Sequence, residues 1–200
     1  MFVMVGMSDP GLVIGATHRV LGGMKGYSLE KFLDAAKGHL AFVPVEGTSA
    51  DLERALHDSP ADGRNRVGIY DLASKRCMIA TPLAADPLAP TFGSKPKAWR
   101  TLDVALIQHL IVEQICQPKL NGGDPITWAF PHTVAEVEEI AQGKETGAGG
   151  GAGFAQLAVI VRPTPLEAVK EICLAGELMP QKSTFFLPKL ATGLAMNPLA

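Results

Sequence analysis

Leu157-Ala158-Val159-Ile160-Val161, then Arg162-Pro163-Thr164-Pro165-Leu166-Glu167, closed by Gly176, sets the fold class. The apolar run reads as a central strand. Thr164 and Glu167 have the spacing of a capping box, Pro165 suits the first helical position, and Gly176 follows the last turn. The run from Gly176 through Lys182-Ser183-Thr184 to Pro188-Lys189-Leu190 leaves the helix and enters a short strand. Strands alternate with helices through this half, which predicts an α/β or α+β fold, a mixed sheet covered by helices.

Upstream, Ser28 caps a helix with Leu29, Phe32, Leu33 and Ala36 inward and Gly38 as its stop. Leu40 to Val45 is a strand, Thr48 or Ser49 opens a short helix, and Val67 to Tyr70 and Cys77 to Ala80 are further strands. Pro82 to Pro96 reads as loop and Thr101 to Cys116 as a largely buried helix. Ile126 to Phe130 reads as a strand, with a second capping box at Thr133 and Glu136. The stretch 146–153 is a flexible glycine loop. At the start, Phe2 to Met7 and Leu12 to Ile14 flank a Ser8-Asp9-Pro10-Gly11 turn and predict a hairpin. A strand that begins without a polar lead-in reads as an incomplete part of a larger fold, its bare edge open to a second copy.

Two hundred residues, 47% hydrophobic and 19% charged, describe one ordinary globular domain over 1–200. A net charge of −2 without a Lys/Arg cluster gives no footprint for nucleic acid. No apolar run is long enough to span a bilayer. Cys77, Cys116 and Cys173, without paired spacing, suit reduced, buried thiols and a cytoplasmic protein. No histidine pair or Cys-x-x-Cys has metal-ligand spacing, so no metal site is expected.

Two segments have chemistry suited to an anion. Lys182 supplies a point charge, and Ser183 and Thr184 supply directed donors in a turn; the plainer alternative is that both hydroxyls satisfy the turn while Lys182 stays solvated. Thr17-His18-Arg19 ends a strand, where Arg19 can grip an anion bidentately and His18 can move a proton near neutral pH. Its plainer alternative is a buried histidine bonded to backbone beside a surface arginine. Both segments are expected to line one pocket on one face. His109 and His132 read as structural.

Asp9-Pro10-Gly11-Leu12-Val13-Ile14 with Thr17-His18-Arg19, Leu102-Asp103-Val104-Ala105, Pro163-Thr164-Pro165, and Gly176 to Thr184 with Pro188-Lys189 occur in order along nearly the whole chain. In these segments the chain resembles the C-terminal half of the domain of unknown function 1015 family. Members are about twice as long, with an N-terminal half similar to the ParB/sulfiredoxin-like fold of free-serine kinases and carrying an Asp-Gly-His-His-Arg motif. This chain has no such motif; its one His-Arg pair is His18-Arg19.

The resemblance implies a small-molecule kinase-like protein, transferring a phosphoryl group to a hydroxyl of a small metabolite such as free serine. ATP or ADP with magnesium would be its cofactors. His18 would be catalytic, and Arg19, Lys182, Ser183, Thr184 and Lys189 would hold phosphate or substrate. The other reading is a non-catalytic binding or structural module that completes a site on a missing N-terminal segment or a partner chain.

Overall fold

Local sequence chemistry sets most of the elements. In the computed structural model, which describes residues 5–60, 62–144 and 146–189, Ser28 accepts from the Lys31 amide and starts α1, Leu29–Ala35. Thr48 and Asp51 cap each other reciprocally at the head of α2, Ser49–His57. Between and after them run β3, Leu40–Val45, β4, Val67–Asp71, and β5, Cys77–Pro82. The β4–β5 turn is tied by the Asp71 carboxylate, which accepts from both the amide and the hydroxyl of Ser74. Two short helices follow, α3, Ala89–Phe92, and α4, Lys97–Arg100, so Pro82 to Pro96 is not loop throughout.

Asp103–Leu106, Ile107–Cys116 and Gln117–Leu120 run on without a break as α5, the most deeply buried helix. Its middle section is wound with i→i+5 hydrogen bonds, a rare geometry that leaves no simple trace in residue order. The remaining helices are α6, Val134–Ala141, and α7, Leu166–Leu174.

The other strands are β1, Val13–Gly15, β2, Arg19–Gly22, β6, Thr127–Ala129, β7, Ala155–Ile160, and β8, Phe185–Leu187. Among the described residues, six of the eight strands form one sheet in the order β3-β5-β4-β7-β2-β6, and β1 pairs with β8 in a second. The class is α+β. Where the sequence allowed a mixed sheet, each pairing is antiparallel.

Both faces of the large sheet are covered, which is why its central strands read as unbroken apolar runs. Leu21, Val67, Ile69, Leu157 and Val159 join α1 and α5 in one core. Val20, Tyr70, Ala158 and Ile160, one position out of phase, join Leu52 and Leu56 of α2 and Val137 and Ile140 of α6 in the other. Gly22 sits at a register shift between β2 and β7, where a Cβ would lie 2.0 Å from the Phe154 carbonyl oxygen. Only glycine admits that approach.

Several sequence expectations are corrected. The Phe2 to Met7 strand lies partly outside the described residues; Val5 to Met7 are exposed and outside any strand. The partner of the Leu12 to Ile14 segment is therefore the far end of the chain, with Val13 opposite Leu187 and Gly15 opposite Phe185. The Thr164–Glu167 capping box does not form. Pro165 is itself the cap, and the Thr164 hydroxyl donates to the Ser183 carbonyl at 2.7 Å. At α6 only half a box forms, because the Glu136 carboxylate accepts from the His132 amide instead of closing on Thr133. Cys77 and Cys116 are buried free thiols, but Cys173 is exposed. No helix among the described residues is long and apolar enough to cross a membrane.

Candidate functional site

Thr17-His18-Arg19 leads into β2, and the two-residue period of a strand sends His18 and Arg19 to opposite faces. The expectation that both would line one pocket therefore fails for His18. Its ring is fully buried, with Nδ1 accepting from the Val161 amide at 3.2 Å and Nε2 3.5 Å from a Glu53 carboxylate oxygen on the α2 side. An accepting Nδ1 leaves the proton on Nε2. Burial first, then the charges of Arg19 and His132, push the imidazole pKa down to about 4. At neutral pH His18 is an uncharged ring sealed between β2, β7 and α2, which is the work of a structural histidine.

Arg19 turns toward α5 and meets the C-terminal turn. Its guanidinium donates to the carbonyls of Thr17 and His18 and, at 2.9 Å, to that of Lys182. The same group lies 5.2 Å from the centre of the Phe130 ring, and the Lys182 ammonium lies 5.7 Å from it. Burial lowers the Arg19 pKa to about 10, so it stays charged at neutral pH. Arg19 and Lys182 are thus neighbours, but the contact uses the lysine's carbonyl, and the lysine side chain is not among the residues lining the cavity that Arg19 borders.

The turn itself is internally bonded. Lys182 is exposed with φ of +56°, and Ser183 is buried with its hydroxyl donating to the Pro180 carbonyl. Ser183 is therefore occupied by the turn, as its plainer reading held. Thr184 is half-buried just before β8. Lys189 lies farther along, its ammonium 4.3 Å over the Phe185 ring, which stacks on His132 at 3.6 Å. Of the residues singled out from sequence, Arg19 and Lys182 share one aromatic ring, and Lys189 has its own.

Beside that junction opens a cavity of about 460 Å³ lined by Arg19, Trp99, His109, Glu113, Trp128 and Phe130, among others. Both of the chain's two tryptophans lie on it. Trp128 and Phe130 stack at 5.9 Å from β6 and the segment after it. From the other wall, His109 packs 4.4 Å from Phe92 and 5.4 Å from Trp99. The Glu113 carboxylate takes His109 Nδ1 at 2.8 Å and Gln108 Nε2 at 2.6 Å. Partners four and five residues back both reach one carboxylate because the helix is wound wide there.

None of Trp99, Glu113, Trp128 or Phe130 stood out in the sequence. A signal was present, since aromatic residues make up only 6% of the chain. Their convergence depends on the wide turn of α5 and on β6 pairing with β2, neither of which is local. Among the described residues, no three His, Cys, Asp or Glu side chains gather as a metal-binding group. Compared with protein-family models, curated proteins and solved structures, the chain matches none.

Proposed function

We propose that this chain is a small-molecule-binding module whose site is the aromatic cavity beside Arg19 and Lys182, and whose ligand is a planar, anionic metabolite of the nucleotide type. One observation carries the reading: both tryptophans, Phe130 and the Arg19 guanidinium line one opening, and the Lys182 ammonium lies 5.7 Å from the centre of that same Phe130 ring. A flat ring stacked on such side chains is worth roughly 1–3 kcal/mol. Lys182, solvent-exposed beside the Phe130 ring, supplies charge for an anionic tail, with Lys189 beyond it.

The resemblance to kinase-like proteins supports ATP or ADP as that ligand, and with it phosphoryl transfer to a metabolite hydroxyl such as that of free serine. The donor set fits phosphate oxygens. Magnesium takes oxygen ligands, and the one carboxylate on the cavity, Glu113, is already held by Gln108 and His109. The burial of His18 removes the group expected to handle the proton, so the module reading is placed ahead of catalysis.

Equilibrium dialysis against ADP and ATP, with and without magnesium, tests this, together with tryptophan fluorescence. The expected result is binding with quenched emission, weakened about tenfold or more in Lys182→Ala and Trp128→Leu. Emission that does not change at saturating nucleotide would remove the tryptophan-lined cavity as the site. Absence of binding to either nucleotide would remove the nucleotide class.

A further inference from the structure

A second cavity, of about 430 Å³, lies at the head of α5 between Arg64-Asn65, Thr101-Leu102-Asp103 and Arg162-Pro163-Thr164. Two of the segments that carry the family resemblance, Leu102 to Ala105 and Pro163 to Pro165, border it, and of these only Val104 also lines the cavity beside Arg19. Its charges are arranged differently from those around Arg19. The Asn65 amide donates to the Thr101 carbonyl at 2.6 Å and to Asp103 Oδ1 at 2.8 Å, which fixes that carboxylate from one side. The other oxygen, Oδ2, stands 3.8 Å from an Arg162 nitrogen. That is beyond hydrogen-bond reach. Arg64 is exposed at the rim of the same cavity.

A carboxylate and a guanidinium that face one cavity and stop short of contact each keep unused bonding capacity. Arg162 offers fork donors suited to a planar anion. Asp103 offers an acceptor oxygen to a cation. A ligand that satisfies both must carry the two opposite charges close together.

We propose that this cleft is a binding site for a small zwitterion of amino-acid to dipeptide size, its ammonium on Asp103 Oδ2 and its carboxylate on Arg162, with Arg64 at the rim. The electrostatics agree. Burial holds the Asp103 carboxyl above its ordinary range although Asn65 and Arg162 pull it down, so the site is short of positive charge at that oxygen. A bound ammonium supplies it. The volume lies within the range of small-molecule pockets. The cleft shares Val104 with the tryptophan-lined cavity but none of its charged residues, and the two proposals stand or fall apart.

The test is ligand-observed saturation-transfer NMR and calorimetry with the free L-amino acids and glycylglycine as probes, and acetate and ethylammonium as single-charge controls. At least one zwitterion is expected to bind with a Kd of about 1 mM or tighter and to outcompete both controls at least tenfold. Asp103→Asn and Arg162→Gln should each weaken it at least tenfold, and Lys182→Ala should not alter it. In the wild-type chain, where folding is not in question, the Asn65 side-chain amide signal should shift on binding. The proposal is overturned if no probe binds, if acetate binds as well as the zwitterion, if Asp103→Asn retains full affinity, or if the Asn65 amide stays still.

Discussion

The junction around Arg19 and the cleft around Asp103 are both charged and both lie where helices meet the sheet, yet they use charge in opposite ways. At the junction the guanidinium is buried and bonded to three backbone carbonyls, and its neighbour His18 is enclosed with its Nδ1 bonded. In the cleft, Asp103 and Arg162 line one cavity, largely buried, and remain 3.8 Å apart. Charge at the first place holds β2 to the C-terminal turn, whereas at the second it is left for something else. A charged residue at a strand end becomes a site only when its bonding groups are not already taken by the fold.

The sharpest way to break this contrast is to remove the junction's cation. Arg19→Met keeps much of the apolar stem but leaves the Thr17 carbonyl, at a buried bond, and the Lys182 carbonyl, at a part-buried one, without that donor. Hydrogen bonds to a charged group are worth roughly 1.5–3 kcal/mol each, so losing two should destabilise the chain by about 3 kcal/mol or more. Denaturant unfolding measures it. A loss below about 1 kcal/mol would mean that Arg19 is not structural, and the two regions would no longer differ in kind. Arg162→Gln, from the cleft, should change stability by roughly 0.5 kcal/mol or less, as at other positions outside the buried networks.

Acid provides the next test. The folded-state pKa of His18 is about 4, below its ordinary 6.5, so the unfolded chain binds its proton first as pH falls. The stability that His18 contributes is complete above pH 6.5 and is lost progressively down to about pH 4, roughly 3 kcal/mol in all. His18→Gln removes the titration, so the difference in unfolding free energy between wild type and variant should narrow through that window. A difference that stays constant from pH 7 to pH 4 would place His18 in contact with solvent, and its catalytic reading would return.

Where each segment's partners are close in sequence, the fold was legible. Ser28 capping α1, Thr48 with Asp51 at α2, and the apolar runs of β4, β5 and β7 all follow from side chains within a few residues of one another. The errors fall where a distant group competes for a local one. Thr164 has the residue spacing of a capping box, but its hydroxyl is taken by Ser183, 19 residues on. Leu12 to Ile14 looked like half of a hairpin, yet it pairs with Phe185–Leu187. At the candidate site one pocket lined by His18-Arg19 and Lys182-Ser183-Thr184 was expected; Arg19 does contact Lys182, but the opposed directions of His18 and Arg19 follow from strand alternation once Arg19 is known to open β2. The tryptophan-lined cavity is assembled from four separated segments and the Asp103 cleft from three, and no local pattern announces either.

Thr164 gives a smaller test of the same competition. Thr164→Val keeps the shape but removes the donor to the Ser183 carbonyl. The expected loss is about 1–2 kcal/mol, because a buried acceptor is left without a protein partner. If Thr164 instead served the helix as a cap, the variant would fray the first turn of α7. Hydrogen exchange of its early amides separates the two: they should be unchanged while the Lys182 to Phe185 amides exchange faster.

The smallest effect in stability, and the one that best separates folding from binding, belongs to Lys182. Its backbone has φ of +56°, a left-handed conformation that a non-glycine side chain adopts under strain. Lys182→Gly relieves that strain but increases the freedom of the unfolded chain, and the two terms nearly offset, leaving roughly 0–1 kcal/mol in favour of the variant. Lys182→Ala keeps the strain and should stay within about 0.5 kcal/mol of wild type. The carbonyl that receives the Arg19 guanidinium is present in all three chains, so the junction is preserved. If the ammonium serves an anionic ligand, both variants lose about the same affinity, roughly tenfold or more, while differing in thermal midpoint. Full nucleotide or phosphate affinity in the glycine variant would show that the lysine contributes only solvated charge at this turn. The anion-binding role would then rest on Lys189 and the aromatic cavity alone.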